Sequence, residues 1–535
     1  MQNPPVMRKI IFTLLVVALV GSLAPIGRSD PAVLTIVRAQ PRSDSEAAWL
    51  MNAFDETHNH EHDQIELLLW PGDRARLDAA GVDYEVVIPD LVAHDLRLAS
   101  QPKTRVSLPG PDRSDYRRLG DYVTEMKQLA EENPKIVRLI ELPEPSLEGR
   151  QVFGLEIAAP AGPSDGRPVY YVDGLHHARE WPAAEFVMIF AHHLVEGYGK
   201  DRAVTSLLKR TRVILIPVVN PDGFDYSRES PLSANQTVAD LTWPTGYGNG
   251  FEGYWRKNRR SLTGVTVPAV QKNPDAYGVD PNRNYAYLWG DNQGGSSGFQ
   301  LDTTYRGTEP FSEPETRNVR SVVLSSPVTG VITNHTYQAT VLRTGGGDAP
   351  DDKVLIKIGD RLAAAMGYEN RATVGYPTTG TTDDWIYAAM GALGFTFEHG
   401  SIGFHPPYAV GVGDLAPKVM KAFMIMGEVA ADPRQHAVIS GRVAAGRATL
   451  TLTKSFKTEL SNGNPTGEKA ITEKLKLTLK TRPDGRFVWH VPQSVRPYEK
   501  KPEAYTLTVT AGGEKVSRSI VLRRGDRVDV GTIRL

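Results

Sequence analysis

The sequence predicts an α/β fold, a sheet flanked by helices over residues 114–432, with a small α+β unit before it at 31–100 and an all-β sandwich after it at 433–535. Three observations predict it. In the middle of the chain, strand-like and helix-like segments alternate: Val152–Ile157, Val169–Val172, a helix starting at Pro182, Val213–Val219, Gly330–Ile332 and a helix over Asp352–Met366. Such alternation places helices on both faces of a sheet. Beyond Pro433 the period switches to two, as in Ala448–Thr453 and Leu475–Leu479, with turns at Pro483-Asp484-Gly485 and Gly512-Gly513; that pattern is a half-buried strand repeated, a β-sandwich. Finally, 535 residues at 40% hydrophobic and 23% charged make a globular chain of several units.

Taken in order, Arg8 and Lys9 precede the apolar run Ile10–Val20. The run is shorter than the roughly 20 residues that a membrane span needs. Residues 1–30 are therefore expected to be a secretory signal peptide, and the mature chain to be secreted with no membrane partner after its removal. Within 31–100, strands are expected at Val33–Val37, Ile65–Leu69 and Tyr84–Ile88, and helices at Ser43–Phe54 and Pro71–Ala80, the second ended by Gly81. Residues 101–113 carry Pro102, Pro109, Gly110 and Pro111 and read as an exposed, protease-sensitive linker. An amphipathic helix over Tyr116–Glu132 opens the central block, and Phe487–Val491, Tyr505–Val509 and Val516–Leu522 continue the strands of the sandwich. A formal net charge of −1 gives no reason to expect nucleic acid as a partner. Cysteine is absent, which excludes disulfides, thiolate ligands and cysteine nucleophiles, so a metal would be held by His, Asp or Glu.

The chemistry begins at His177 and Glu180, in His177-Ala178-Arg179-Glu180-Trp181, between the Val169–Val172 strand and the helix with Pro182 in its first turn. An imidazole and a carboxylate at i and i+3 can converge on one metal from a tight loop. Alone, the pair could equally be a helix-start glutamate beside an exposed histidine. A catalytic zinc takes three protein ligands and keeps a position open for water. His335, in Thr333-Asn334-His335-Thr336-Tyr337 after an apolar strand, is the candidate third ligand, since α/β sites lie at the carboxyl edge of the sheet.

Together these segments resemble the funnelin family of zinc carboxypeptidases, the carboxypeptidase A/B type. Matching pieces run in family order from Glu148-Gly149-Arg150 through residues 173–181 and His335 to Gly403-Phe404. The resemblance implies a mixed sheet of eight strands flanked by helices, one Zn2+ per chain held by His177, Glu180 and His335, and peptide or protein C-termini as substrates. Glu398, in Phe395-Thr396-Phe397-Glu398, matches the general base. Arg256 matches the arginine that polarises the scissile carbonyl and holds the oxyanion. Asn282 and Arg283 match the pair that grips the terminal carboxylate, a task suited to the planar fork of arginine. Asp280 is the expected partner behind His177, fixing its tautomer. Tyr376 matches the tyrosine that closes over the terminal residue, Arg179 a further substrate-contacting arginine, and Tyr337 is expected to line the site. Asp383, before Asp384-Trp385, occupies the position where the family carries aspartate for Lys or Arg side chains. Basic or mixed side-chain preference follows, unless Asp383 caps a helix and points away.

Blander readings hold elsewhere. Lys257, Arg259 and Arg260 read as a solvated basic loop, Asn220-Pro221-Asp222-Gly223 as a turn, and His176, His192 and His193 as packing or surface residues. His58, His60 and His62 read as a solvated cluster. The N-terminal unit resembles the pro-segment of the same group in size, order and position, with Lys103 and Arg105 or Arg113 as sites for an activating protease. The sandwich resembles transthyretin-like or regulatory-like β domains through Ile439-Ser440-Gly441-Arg442-Val443 and Asp484-Gly485-Arg486-Phe487. The expected function is a secreted zinc metallocarboxypeptidase; the alternatives are a zinc hydrolase of cell-wall peptides on the same fold and a non-catalytic peptide-binding relative.

Overall fold

The computed structural model describes residues 33–57, 59, 64–101, 103–162, 165–229, 251–261, 278–291, 295–374 and 378–535. The expected signal peptide, the His58, His60 and His62 cluster, and Tyr376 lie outside the described residues.

The N-terminal unit is an antiparallel sheet of β1 (Thr35–Gln40), β2 (Asp55–Glu56), β3 (Ile65–Leu69) and β4 (Asp83–Ile88), in the order β2-β3-β1-β4. Ser43 caps the helix Asp44–Ala53 by accepting from the Glu46 backbone N–H, and Gly81, at φ +65°, ends the helix Asp73–Ala80. A third helix, Leu91–Ala99, is absent from the sequence reading, although Asp90 caps it and Leu91 and Val92 are its buried face.

The central sheet has eight strands: β5 (Val137–Glu141), β6 (Phe153–Ile157), β7 (Val169–Gly174), β8 (Arg212–Ile216), β9 (Val328–His335), β10 (Thr340–Arg343), β11 (Glu369–Arg371) and β12 (Leu393–Glu398). Their order is β11-β10-β12-β9-β7-β8-β6-β5. The four middle strands β12, β9, β7 and β8 run parallel, and β6, β5 and β10 antiparallel to their inner neighbours. The parallel strands are apolar at successive positions because both faces are covered. Tyr170, Val172, Ile332, Phe395 and Phe397 enter one core with the helices Trp181–Gly197, Asp352–Met366 and Ala416–Ala431. Val169, Tyr171, Val331 and Ile216 enter the other, beneath the helices Pro314–Ser325 and Thr382–Met390.

Two boundaries differ from expectation. The opening helix starts at Leu119, not Tyr116, because Asp121 closes its first turn on the Arg118 N–H at 2.9 Å while Arg117 turns inward onto Glu125 and the fully buried Glu185. Residues 220–223 are not a free turn. Asn220 caps a helix over Pro221–Arg228, accepting from the Gly223 N–H at 3.0 Å, and the buried Asp222 binds Ser146, the Glu148 N–H and Arg150.

The C-terminal unit is a sandwich of two sheets, ordered β16-β13-β19 and β15-β14-β17-β18, from β13 (Ala437–Val443), β14 (Thr449–Glu459), β15 (Ala470–Lys480), β16 (Arg486–Val491), β17 (Ala504–Ala511), β18 (Glu514–Val521) and β19 (Arg527–Ile533). Its inward residues, among them Leu452, Leu477, Trp489 and Leu507, belong to the same apolar cluster as Trp385, Trp289 and Tyr285 of the central unit. Polar ties reinforce the seam. Glu473 accepts from the Trp385 indole N–H at 2.9 Å, Arg524 pairs with Asp351 at 2.6 Å, and the Leu288 N–H donates to the Glu459 carbonyl at 3.0 Å. The sandwich thus braces the helix Thr382–Met390. Among the described residues, no helix is long and apolar enough to cross a membrane.

Candidate active site

The carboxyl ends of β7, β9 and β12 meet at one edge of the sheet. After β7 the chain reverses at Leu175, at φ +54°, and the loop is tied down by the Ala178 N–H donating to the Arg256 carbonyl at 2.9 Å. This places His177 in the loop and Glu180 at the start of the helix Trp181–Gly197, whose first turn tolerates Pro182 because its missing N–H has no partner there. His335 is the last residue of β9, and Glu398, the last of β12, lies opposite it in register.

His177 Nδ1 stands 2.7 Å from Glu180 Oε1, His335 Nδ1 stands 2.9 Å from Glu180 Oε2, and the two ring nitrogens are 3.2 Å apart. All three side chains are buried. Two imidazole nitrogens thus face each other across one carboxylate. Burial opposes protonation of His335, but the Glu180 carboxylate raises it to about 9. Glu180 is held well below the usual carboxylate range by the two histidines, against the cost of burial. This His/Glu/His set, with donor atoms within 4.8 Å of one another, fits the donors that zinc takes.

Asp280 organises the next layer. Its Oδ1 faces His177 Nε2 at 3.1 Å, so that this nitrogen carries the proton and Nδ1 offers its lone pair. Its Oδ2 accepts from Arg256 Nε at 3.2 Å and Nη2 at 2.9 Å. Burial opposes ionisation of Asp280, but Arg256 and His177 hold its carboxyl well below the usual range. One carboxylate therefore orients both a metal-binding histidine and the arginine expected to hold the oxyanion.

A cavity of about 440 Å³ opens beside this cluster, lined by His177, Glu398, Asn282, Arg283, Asp383 and Asp384 among others. Burial lifts Glu398 to about 8, with His335 opposing and Glu180 and Glu56 adding to the rise, and its Oε2 has no hydrogen-bond partner among the described residues. Arg283 uses Nη1 to bond the Asn282 carbonyl at 2.9 Å, while its buried Nε and Nη2 have no partner among the described residues. Asn282 accepts from the Thr382 N–H and hydroxyl, both at 3.0 Å, and its Nδ2 lies 3.3 Å from His335 Nε2. Gly380, at φ +69°, lets this loop reach Arg283: a Cβ there would lie 2.4 Å from the Arg283 carbonyl oxygen. Asp383 is in the first turn of the helix Thr382–Met390 and faces the cavity; the cap position belongs to Thr381.

Arg179 and Tyr337 are near the site but engaged by the N-terminal unit. Arg179 grips Asp55 through Nη1 at 2.5 Å and Nη2 at 2.8 Å, and the Tyr337 hydroxyl donates to Glu66 at 2.8 Å. The loop read as solvated is in fact packed. Lys257 donates to the Asp302 carbonyl at 2.9 Å, Arg260 pairs with Glu313 at 2.6 Å, and Arg259 lies over Tyr226 at 3.9 Å. Each cation found an acceptor or a ring more than thirty positions away in the chain, or on a separate helix, which local composition does not register. His176 is a packing residue as expected, stacked under His335 at 5.7 Å and bonded to Tyr285 and Thr382. His192, also a packing residue, faces Glu125 at 3.1 Å. Sequence reasoning missed Asp384, whose adjacency to Asp383 was the available signal. It also missed Asp55, Glu66 and Tyr498, which come from other units and carry no local signal.

Known proteins resemble this chain in sequence and in fold. The family profile described as zinc carboxypeptidase matches residues 122–415. Carboxypeptidase A4 of Mus musculus is 29% identical over 350 residues, covering 62% of this chain and 74% of that protein. Carboxypeptidase B of Homo sapiens is 28% identical over 312 residues, covering 56% of this chain and 66% of that protein. In fold, the carboxypeptidase A of Helicoverpa armigera superposes with a TM-score of 0.58 at 21% identity, covering 75% of this chain and 98% of that one. The thrombin-activatable fibrinolysis inhibitor does so with a TM-score of 0.56 at 20% identity, covering 75% and 99%.

Proposed function

The chain belongs to the zinc carboxypeptidase family and is a metallocarboxypeptidase acting on peptide C-termini, and from that premise we propose that it is a secreted, latent enzyme that releases single C-terminal residues with a preference for Lys and Arg. His177, Glu180 and His335 would hold Zn2+, which would supply Lewis acidity for activating water and polarising a carbonyl. Glu398, which the charge of a Zn2+ bound beside it would keep ionised, accepts the proton of the attacking water and delivers it to the leaving amine. Arg256, already aimed by Asp280, stabilises the oxyanion. Arg283 and Asn282 receive the α-carboxylate.

The observation that carries this reading is the free edge of Arg283. A buried guanidinium with two nitrogens unpartnered among the described residues is costly unless a ligand completes it, and a carboxylate matches its fork. Arg283→Gln is therefore expected to lower kcat/KM by about 100-fold or more, chiefly through KM, for peptides with a free C-terminal carboxylate. Wild-type protein is expected to leave C-terminally amidated peptides intact. Equal cleavage of amidated and free peptides would contradict the assignment.

Two buried carboxylates support the basic preference. Burial raises Asp383, and burial together with the charge of Asp383 raises Asp384 to about 7. Empty of a cation, the pair holds a proton; a Lys or Arg side chain favours its release. KM for peptides ending in Arg should therefore fall as pH rises through about 7, while KM for peptides ending in Leu stays flat. Asp383→Asn should cost the Arg peptide about 100-fold in kcat/KM and spare the Leu peptide. Parallel pH curves for the two peptides would contradict the preference.

Latency is supported by the occupation of Arg179 and Tyr337 by Asp55 and Glu66. The expected activating cut is at Lys103 or Arg105, which are exposed, rather than at the half-buried Arg113, which pairs with Glu125. Secretion rests on the apolar run Ile10–Val20 behind Arg8 and Lys9.

A further inference from the structure

The cavity that holds Asp383 and Asp384 is not built by the central unit alone. Tyr498, in the connection between β16 and β17 of the sandwich, lines it. Its ring stacks on Tyr287, another lining residue, with centroids 5.1 Å apart and planes 14° apart, and meets Tyr387 edge-on at 5.7 Å. Both partners belong to the central unit, and Tyr387 is itself fixed by its hydroxyl on Asp351 at 3.0 Å, the same carboxylate that Arg524 of the sandwich grips at 2.6 Å. Tyr498 is thus held by packing against two rings.

The floor beneath it is shaped to admit it. A Cβ on Gly345 would stand 2.7 Å from the Tyr498 hydroxyl oxygen, so only glycine leaves room there, and Gly345 adopts φ +81°. The Gly345 N–H donates to Asp384 at 2.7 Å. Phenol, glycine turn and carboxylate therefore form one continuous wall, assembled from two units of the chain.

We propose that Tyr498 is a specificity-determining residue, giving the acidic side-chain pocket an aromatic wall that selects guanidinium over ammonium and aliphatic side chains. This rests on the reading of Asp383 above. A planar guanidinium can pair with a carboxylate at its edge while lying against an aromatic face, which an ammonium exploits less and an aliphatic chain not at all. The sandwich, on this account, completes the substrate site as well as bracing the helix that bears Asp383.

The test measures binding of Nα-acetyl-arginine, -lysine and -leucine by calorimetry to the full zinc-loaded chain after it has been cut between Lys103 and Arg105. Tyr498→Ala is expected to weaken acetyl-arginine by about 10-fold and acetyl-leucine by less than about twofold, with Tyr498→Phe retaining the arginine preference. Tyr498→Leu, which keeps bulk against Tyr287 and Tyr387, gives the same readout should the alanine variant fail to fold. Unchanged arginine affinity, or equal weakening of all three ligands, overturns the inference while leaving the basic preference standing. A wild-type preference for acetyl-leucine contradicts the reading of Asp383 itself, and this inference with it.

Discussion

Replacing Glu398 by glutamine is expected to lower kcat by about 10³–10⁴-fold, the upper range for loss of a positioned general base, with KM changed only a few-fold. The substitution keeps shape and removes only the ability to take a proton. Glu398 is not one of the three converging donors, so zinc content should stay at one per chain, measured by metal analysis beside the kinetics. Its position supports the size of the effect. It ends β12 opposite His335, buried, and among the described residues no partner of Oε2 competes for the proton. An aspartate, one methylene shorter, should recover little. A glutamine variant with kcat within about tenfold of wild type would assign the proton transfer to another group.

The second large effect concerns latency. Cutting the chain between Lys103 and Arg105 is expected to switch the enzyme on, and Asp55→Ala to give activity without a cut. Asp55 and Arg179 are both essentially inaccessible to solvent. Removing one partner of a buried ion pair costs about 3–5 kcal/mol, which would raise the population of the undocked N-terminal unit by about two to four orders of magnitude. Tyr254 donating to Asp95 at 2.5 Å and Tyr337 donating to Glu66 would still hold it, so the variant should remain below the cut enzyme. Activity of the uncut wild type equal to that of the cut form would remove the latency proposal without touching the chemistry of the site.

The parts of this molecule legible in its sequence are those in which residues close in the chain act together. His177 and Glu180 share one loop, and the strand ends bearing His335 and Glu398 are marked by apolar runs. The period change at Pro433 announced the sandwich, and the helix Asp352–Met366 lies where its pattern placed it. What escaped has a common cause. Lys257 and Arg260 look solvated until Asp302 and Glu313 arrive from distant segments. Asn220 looks like a turn residue until the chain after it coils and uses its side chain as a cap. Asp55 is an unremarkable acid until the N-terminal sheet lays it on Arg179. Tyr498 belongs by pattern to a loop of a separate unit, and only the shared core of sandwich and sheet brings it to the pocket. Short-range pattern marked the residues that converge as possible metal donors, whereas the groups proposed to restrain and select substrate depend on contacts between units.

The most direct test of the central claim follows single peptides by mass spectrometry after the chain has been cut between its N-terminal unit and residue 114. Peptides identical except for a final Arg, Lys, Phe or Glu would be incubated with the cut protein, with chelator, and with chelator followed by zinc. The account predicts loss of one residue at a time, fastest from Arg and Lys ends, abolished by zinc removal and restored by its return. Activity that survives removal of zinc, or no release of any C-terminal residue by the cut, zinc-loaded protein, would contradict it.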